Sequence, residues 1–395
     1  MKVALLADIA PYGMKGLKNY VVSKSVFLQK RTDENFHVDF HIVNTVLSPL
    51  LCKILKIDRK RSLCYGAKEI ELDGVTFKLI FIHRNLFHVL YERVTKRTVS
   101  YSWQLRKISK RLRGYDIITC HSITAHRLAL MTNELYGIPY VTTFHGSDTT
   151  VYPFEKASSK EFIAKVIKSA SMNFYVSKGL MKFSDKITSE GVKDHIYTGV
   201  AQAFYEYPEE KKSELRKNHH VVGKKVVAFS GNLFQIKNPM SLPPIFDIVH
   251  RSVGDKCVFW IIGDGPLRDT LKKELDAIKV EYTMFGNIKP ENMPEMMNCC
   301  DVVILPSINE GFGLSVLEAR ICGAVGVGSR VGGIPEAVGE ENVFDLDEDF
   351  TENISKRIIE ILNNNERPKP LSDEFTWDSA VDKEINVFKK VLGEQ

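Results

Sequence analysis

At 395 residues, with 44% apolar and 26% charged side chains, the chain is long enough for two ordinary domains and has the make-up of a folded globular protein, which excludes a disordered chain. Its seven cysteines (Cys52, Cys64, Cys120, Cys257, Cys299, Cys300, Cys322) include no C-x-x-C pair, which argues against a disulfide framework and a zinc site and suits a reducing cytoplasm. The net charge of +5 hides an asymmetry: residues 1–150 hold 23 Lys/Arg against 12 Asp/Glu (+11), and the remainder holds 31 against 37 (−6).

The opening MKVALLADIA is too short an apolar run for a signal peptide, and no apolar run approaches the roughly 20 residues that span a bilayer. Any membrane contact is therefore expected to be peripheral. Residues 2–8 read as a strand, 9–16 as a polar loop and 17–30 as a helix, the opening of an α/β domain. A second strand is expected at 38–43. Residues 48–113 are less regular, with an apolar run at 50–57, a basic triplet at 59–61 and a strand-like run at 75–82.

Residues 84–113 carry nine basic side chains (Arg84, Arg93, Lys96, Arg97, Arg106, Lys107, Lys110, Arg111, Arg113) and one acid, Glu92. Phe87, Leu90, Tyr91, Tyr101, Trp103, Leu105 and Ile108 interleave them. A basic helix with an aromatic face can lie on an anionic membrane, can bind RNA, or can be a solvated face opposite a core stripe. No RNA-binding signature accompanies it, so no nucleic-acid partner is expected.

Further strands are expected at 115–120, leading into His121, and at 140–144, ending in His145, Gly146, Ser147 and Asp148. Polar groups just past the carboxyl ends of parallel strands are where open α/β sheets bind ligands. A helix at 160–170, a strand at 172–176, a cap at Ser177 and a strand at 196–200 running into TGVA follow. The stretch 209–225 reads as a linker and entry helix, with a domain boundary near residue 203. The next strand, 225–229, runs into SGNLFQIKNP. The strand 258–262 ends in Gly263, Asp264, Gly265 and Pro266, but Arg268 stands where a dinucleotide fingerprint needs its third glycine, so no nicotinamide cofactor is expected. A strand at 282–285 leads to Gly286 and Asn287.

The most informative stretch is VVILPSINEGFGLSVLEA, residues 302–319. Its apolar run 302–305 reads as a strand covered on both faces. Glu310, Gly311, Phe312 and Gly313 then turn the chain into a helix from Leu314. The free N–H groups at that helix start can seat an anion, and the glycines let a ligand approach the backbone. At 1.5 Å rise per residue the carboxylates of Glu310 and Glu318 should lie about 10 Å apart. That is too far to share a proton but suits two grips on hydroxyls at either end of a diphosphate. Beyond it lie a small-residue strand at 323–327, GSRVGGIPEAV with Gly332, Gly333 and Glu336, a helix at 354–362 and an amphipathic helix at 377–392. Asp345 and Asp347 form a D-x-D pair in an acidic loop, for which no metal is expected.

The Glu-x7-Glu spacing of Glu310 and Glu318, with GFG inside it, together with FHGSD and the later GGIPEAV, resembles the retaining GT-B glycosyltransferases, especially their family four. The resemblance implies two Rossmann-like doubly wound α/β domains facing across a cleft. Residues 1–203 would bind the acceptor, 204–370 the nucleotide-sugar, and 371–395 would return to the first domain. It implies that His145, Lys237 and Glu310 are catalytic. Gly16, Gly231, Asn232, Gly286, Asn287, Gly311, Phe312, Gly313, Leu314, Ser315 and Glu318 would join Lys237 and Glu310 in holding the donor. Gly13, His145 and Asp148 would lie on the acceptor side. The family commonly has Arg where this chain has Asn232, so half of the usual cationic clamp on the diphosphate is absent. The implied function is metal-independent, retaining transfer of a sugar from a nucleotide-sugar, a UDP-sugar foremost, to a glycan or lipid-linked acceptor hydroxyl. Capsule, teichoic acid or lipopolysaccharide synthesis at the cytoplasmic side of a membrane is the expected setting. A catalytically silent partner or glycan-binding subunit and a nucleotide-sugar epimerase are the alternatives.

Overall fold

The computed structural model describes residues 1–9, 15–48, 52, 67–95 and 102–393. Contacts divide the chain into two units: residues 1–176, 181–199 and 376–395 form the first, and 177–180 with 200–375 form the second. Against boundaries expected after 203 and 370, the chain crosses at 199/200 and 375/376, and the short piece 177–180 packs with the second unit.

The first unit is built on eight strands: β1 (Lys2–Ala7), β2 (His37–Leu47), β3 (Glu69–Leu72), β4 (Val75–Arg84), β5 (Ile117–His121), β6 (Tyr140–Phe144), β7 (Met172–Tyr175) and β8 (Lys193–His195). They lie in the order β3-β4-β2-β1-β5-β6-β7-β8, and every pair is parallel except β3 with β4. That hairpin turns on Asp73 and Gly74, both at positive φ (49° and 78°), as a tight two-residue turn requires. β1, β5 and β6 are almost wholly buried, as parallel strands covered on both faces are, although Thr119, His121, Thr142 and Thr143 interrupt the apolar residues of β5 and β6. The chain leaves β1 toward β2 on one side and returns as β5 on the other. The carboxyl ends of β1 and β5 are therefore this sheet's topological switch point, where open α/β sheets hold ligands.

The helix Trp377–Leu392 belongs to this unit. Thr376 caps it by accepting from the Ser379 N–H (3.2 Å), Lys389 and Lys390 sit in its last turn, and Gly393 follows at φ 75°. Its buried face, Trp377, Ala380, Val381, Glu384 and Phe388, follows helical spacing. Gly199 lies so near its start that a Cβ there would fall 2.3 Å from the Trp377 nitrogen, which accounts for the glycine in TGVA.

The second unit holds β9 (Lys225–Ser230), β10 (Cys257–Ile262), β11 (Tyr282–Gly286), β12 (Val302–Leu305), β13 (Val325–Ser329) and β14 (Val343–Phe344). All pair in parallel, in the order β11-β10-β9-β12-β13-β14. This is the doubly wound dinucleotide-fold order, with the switch point between β9 and β12. Val227, Phe229, Phe259, Ile261, Val302 and Ile304 form its core with the helices Leu242–Val253 and Phe350–Asn364.

Three expectations need correction. The basic stretch begins on a strand: β4 runs to Arg84, and its other described residues include the helices Leu86–Thr95 and Ser102–Leu112. Leu105 and Ile108, counted with the aromatic face, are buried with Leu112, so the face they share is core. The strand expected at 196–200 is Lys193–His195, because β8 has only three residues to pair with β7 before the chain turns away. Gly16 is not in a loop but second in the helix Lys15–Gln29. Gly13, the 50–57 run and the 59–61 triplet lie outside the described residues, apart from Cys52.

Candidate functional site

In the second unit the loops after β9 and β12 flank the switch point. The first turns through Gln235–Lys237, with Asn238 in the left-handed region at φ 51°. It is tied to the second by the Ile308 N–H, which donates to the Ile236 carbonyl at 2.9 Å. That tie brings the Lys237 ammonium onto Oε2 of Glu310 as an ion pair, both side chains mostly covered (25% and 15% exposed). The other carboxylate oxygen of Glu310 accepts from the Gly311 N–H at 3.1 Å. Gly231 is half-buried, and Asn232 is exposed on the same loop.

The bend beyond Glu310 is held from behind. The Gly311 carbonyl accepts from Ser177 Oγ (2.8 Å) and from the Gly333 N–H (3.2 Å). Added Cβ atoms show how tight this is: one on Gly332 would fall 1.8 Å from the Glu310 carbonyl oxygen, and one on Gly179 2.1 Å from that of Gly332. Glu336 accepts the N–H groups of Lys178 and Gly179, both at 2.8 Å. Gly313, at φ 99°, starts the helix Leu314–Ile321, and the N–H groups of Leu314 and Ser315 have no acceptor within that helix. Phe312 is buried and stacks on Phe375, with ring centroids 6.0 Å apart. Glu318, in the second turn of the helix, is half-buried, and burial pushes its carboxyl up to about 8.

Gly263 and Gly265, set aside as a failed fingerprint, have a packing role. A Cβ on Gly263 would lie 1.9 Å from the Gly231 oxygen, and one on Gly265 2.6 Å from that of Leu233. The Gly231 N–H donates to the Ile262 carbonyl (2.9 Å), and the Gly263 N–H to that of Gly286 (2.8 Å). The loops after β9, β10 and β11 thus stack backbone on backbone, and Asn287 is exposed at the end of the third. Arg268 pairs with Asp264 at 3.3 Å, and its guanidinium lies where a Cβ on Gly286 would touch it.

In the first unit, His145 follows β6 and is half-buried. Asp148 does not face solvent: its carboxylate accepts from the N–H groups of His145 (3.0 Å) and Gly146 (2.9 Å), fixing the turn at Gly146, φ 140°. Burial raises its carboxyl to about 6, and those N–H donors oppose the rise. The His145 ring meets His121, Nε2 to Nδ1 at 3.0 Å, and His121 Nε2 lies 3.2 Å from Lys24 Nζ. Lys24 in turn binds Glu384 of the terminal helix at 2.7 Å. The sequence reading singles out neither Lys24 nor Glu384 and has His121 only as the residue a strand leads into. The signal available was positional: Lys24 and Glu384 each fall on the apolar face of an amphipathic helix.

Among the described residues no group of His, Cys, Asp and Glu has the arrangement of a metal site. Asp345 pairs with Arg330 (3.6 Å), and Asp347 accepts from the Asp349 N–H (3.1 Å).

Residues 210–374 match the family described as glycosyl transferases group 1, and residues 64–187 match Glycosyltransferase Family 4. The chain is 26% identical over 262 residues to N-acetyl-alpha-D-glucosaminyl L-malate synthase of Bacillus anthracis, covering 64% of this chain and 66% of that protein. It is 28% identical over 229 residues to the putative teichuronic acid biosynthesis glycosyltransferase TuaC of Bacillus subtilis, covering 57% and 56%. These matches span about two thirds and just over half of the relatives' lengths. Among solved structures, Anabaena Alr3699/HepE in complex with UDP superposes with a TM-score of 0.68 at 14% identity, covering 100% of this chain and 99% of that one.

Proposed function

This chain belongs to the GT-B glycosyltransferases of the family four type, and from that premise we propose that it moves a sugar from a nucleotide-sugar, a UDP-sugar foremost, to an acceptor hydroxyl with retention of configuration and without a metal ion. The observation that carries the reading is the set of groups gathered at the switch point of the second unit. A lysine paired with a carboxylate and the unpaired N–H groups of a helix start meet at one glycine-lined bend, and Glu318 follows in the second turn of that helix. Breaking the bond between the anomeric carbon and the diphosphate leaves negative charge on the departing oxygens. Lys237 and the amides of Leu314 and Ser315 would stabilise it. Glu310 would hold the sugar and Glu318 the ribose hydroxyls. In the first unit His145 would meet the transferred sugar, Asp148 would set its loop, and an acceptor in cell-surface glycan synthesis is the substrate. The names of TuaC and of the UDP-bound HepE structure support pathway and donor.

The test is slow hydrolysis of a panel of UDP-, GDP- and ADP-sugars by the full chain. Turnover of one donor is expected; no turnover, with no nucleotide binding in calorimetry, would favour a catalytically silent partner subunit. That second reading has Asn232 in its favour, since the clamp then rests on one cation.

Peripheral membrane contact is part of the proposal. Phe87 (71%), Val94 (80%) and Trp103 (73%) are exposed, and Arg106, Lys107, Lys110, Arg111 and Arg113 are exposed on the helix Ser102–Leu112 or just past it. Among the described residues no helix is long and apolar enough to cross a membrane. The chain should float with phosphatidylglycerol vesicles and not with phosphatidylcholine vesicles. Phe87→Ser with Trp103→Ser should weaken that binding about tenfold or more. Equal flotation with both vesicle types, or with neither, removes this part.

A further inference from the structure

We propose that the buried chain Glu384–Lys24–His121 is a positioning relay that fixes the proton of His145 on Nδ1, making this ring a committed hydrogen-bond donor rather than a base. The claim rests on the reading of His145 above as a sugar-contacting group, and it deepens that reading.

The hydrogen-bond directions follow one from another. Oε1 of Glu384 accepts from Lys24 Nζ at 2.7 Å and from Thr119 Oγ1 at 2.8 Å, which marks it as the carboxylate end. An ammonium has donors only, so the nitrogen it meets on His121, Nε2 at 3.2 Å, must be an acceptor. A neutral imidazole that accepts at Nε2 carries its proton on Nδ1. His121 Nδ1 lies 3.0 Å from His145 Nε2, so it donates there and His145 Nε2 accepts. The remaining ring nitrogen of His145, Nδ1, then holds the proton. His121 is fully buried, as are Lys24 and Glu384, whereas His145 is partly open and can meet a ligand.

The surroundings hold both rings neutral. Burial, and next the positive charge of Lys24, push the His121 and His145 imidazoles well below their ordinary value. Tyr20 packs edge-on against His145 (centroids 4.5 Å apart) and against Trp377 (5.1 Å), while His126 faces the pair from the helix Ile123–Tyr136. The carboxylates nearest the pair are engaged: Glu384 accepts from Lys24 and Thr119, and Asp148, three residues after His145, accepts from backbone N–H groups. A buried ion pair is weak evidence for stability alone, because desolvation offsets its attraction. Here it has a directional output, since reversing the Lys24 contact would reverse every proton down to His145.

The test is a long-range ¹H–¹⁵N imidazole spectrum of the full-length, histidine-labelled protein without ligand, with His121→Gln and His145→Gln for assignment. His145 is expected to show the neutral Nδ1–H pattern and to keep it from about pH 8 to about pH 5. An Nε2–H pattern, or a protonated ring at about pH 6, overturns the relay. Lys24→Met with Glu384→Leu removes both buried charges together, a change that folds tolerate better than loss of one partner. It should move His145 toward Nε2–H and lower kcat about 10- to 100-fold, with donor KM changed less than about threefold. An unchanged tautomer in that variant sinks the proposal, and if the variant does not fold, the wild-type spectrum decides alone. Because the spectrum needs no substrate, it is separate from the donor panel, which tests the transferase reading.

Discussion

Glu310→Ala should lower turnover of the accepted donor by about 10³-fold, and Lys237→Ala by a similar factor, while the double replacement should cost little more than either alone. The reason lies in how the two groups are held. Lys237 Nζ rests on Oε2 of Glu310, the other oxygen of the carboxylate caps the Gly311 N–H, and the Ile236–Ile308 backbone bond keeps the two loops in register. Removing Glu310 frees the lysine and unlatches the bend whose amides open the helix Leu314–Ile321. Removing Lys237 leaves a mostly covered carboxylate without its counter-charge beside the proposed diphosphate seat. Groups that act as one unit show strongly non-additive losses. Independent losses that multiplied in the double variant would show that the two side chains serve separate steps. Undiminished turnover in Glu310→Ala would remove this bend as the donor site.

The candidate groups of both sheets follow carboxyl ends of parallel strands, after β9 and β12 in the second and after β5 and β6 in the first, and that is why part of the arrangement could be read in advance. β12 and the helices at Leu314 and Trp377 stand where expected because their signals are local: a continuous apolar run, a glycine at positive φ, a threonine cap and a trailing glycine. The β3–β4 hairpin carries an equally local signal in Asp73–Gly74, a turn pair at positive φ just before the strand-like run at 75–82. The basic stretch carries a less decisive signal. Helical spacing shows that Leu105, Ile108 and Leu112 share a face, but not whether that face meets core or lipid.

The pairing within the relay was not legible. Lys24 and Glu384 are 360 residues apart in the chain. Each looks alone like an ordinary charge on an amphipathic helix, and only the packing of the terminal helix makes them one pair. The GDGP motif shows the same limit, since its glycines answer to the neighbouring Gly231 and Leu233 loop, a contact that no periodicity reveals.

Glu318→Gln should make the protein's stability and its nucleotide affinity less dependent on pH, and this follows from the carboxyl's surroundings. Burial raises its pKa from the ordinary 4.5 to about 8. The folded chain therefore keeps a proton that the unfolded chain has already released. That contribution to stability is complete below about pH 4.5 and is lost as pH rises through about 8. After allowance for water at its partly open side, the loss is on the order of 3 kcal/mol, or several degrees in Tm. The glutamine variant lacks this titration, so its Tm should match the wild type near pH 5 and exceed it near pH 9, as followed by calorimetry at about those two values. Ribose hydroxyls donate to a carboxylate and favour its charged form, so a nucleotide held through Glu318, as proposed, must displace the proton at neutral pH but not above about pH 8. UDP should therefore bind wild type more tightly as pH rises from about 6 to about 8, by up to about tenfold per unit, beyond any change that phosphate ionisation produces in Glu318→Gln. Parallel binding curves for the two proteins would mean that Glu318 does not hold the ligand's hydroxyls.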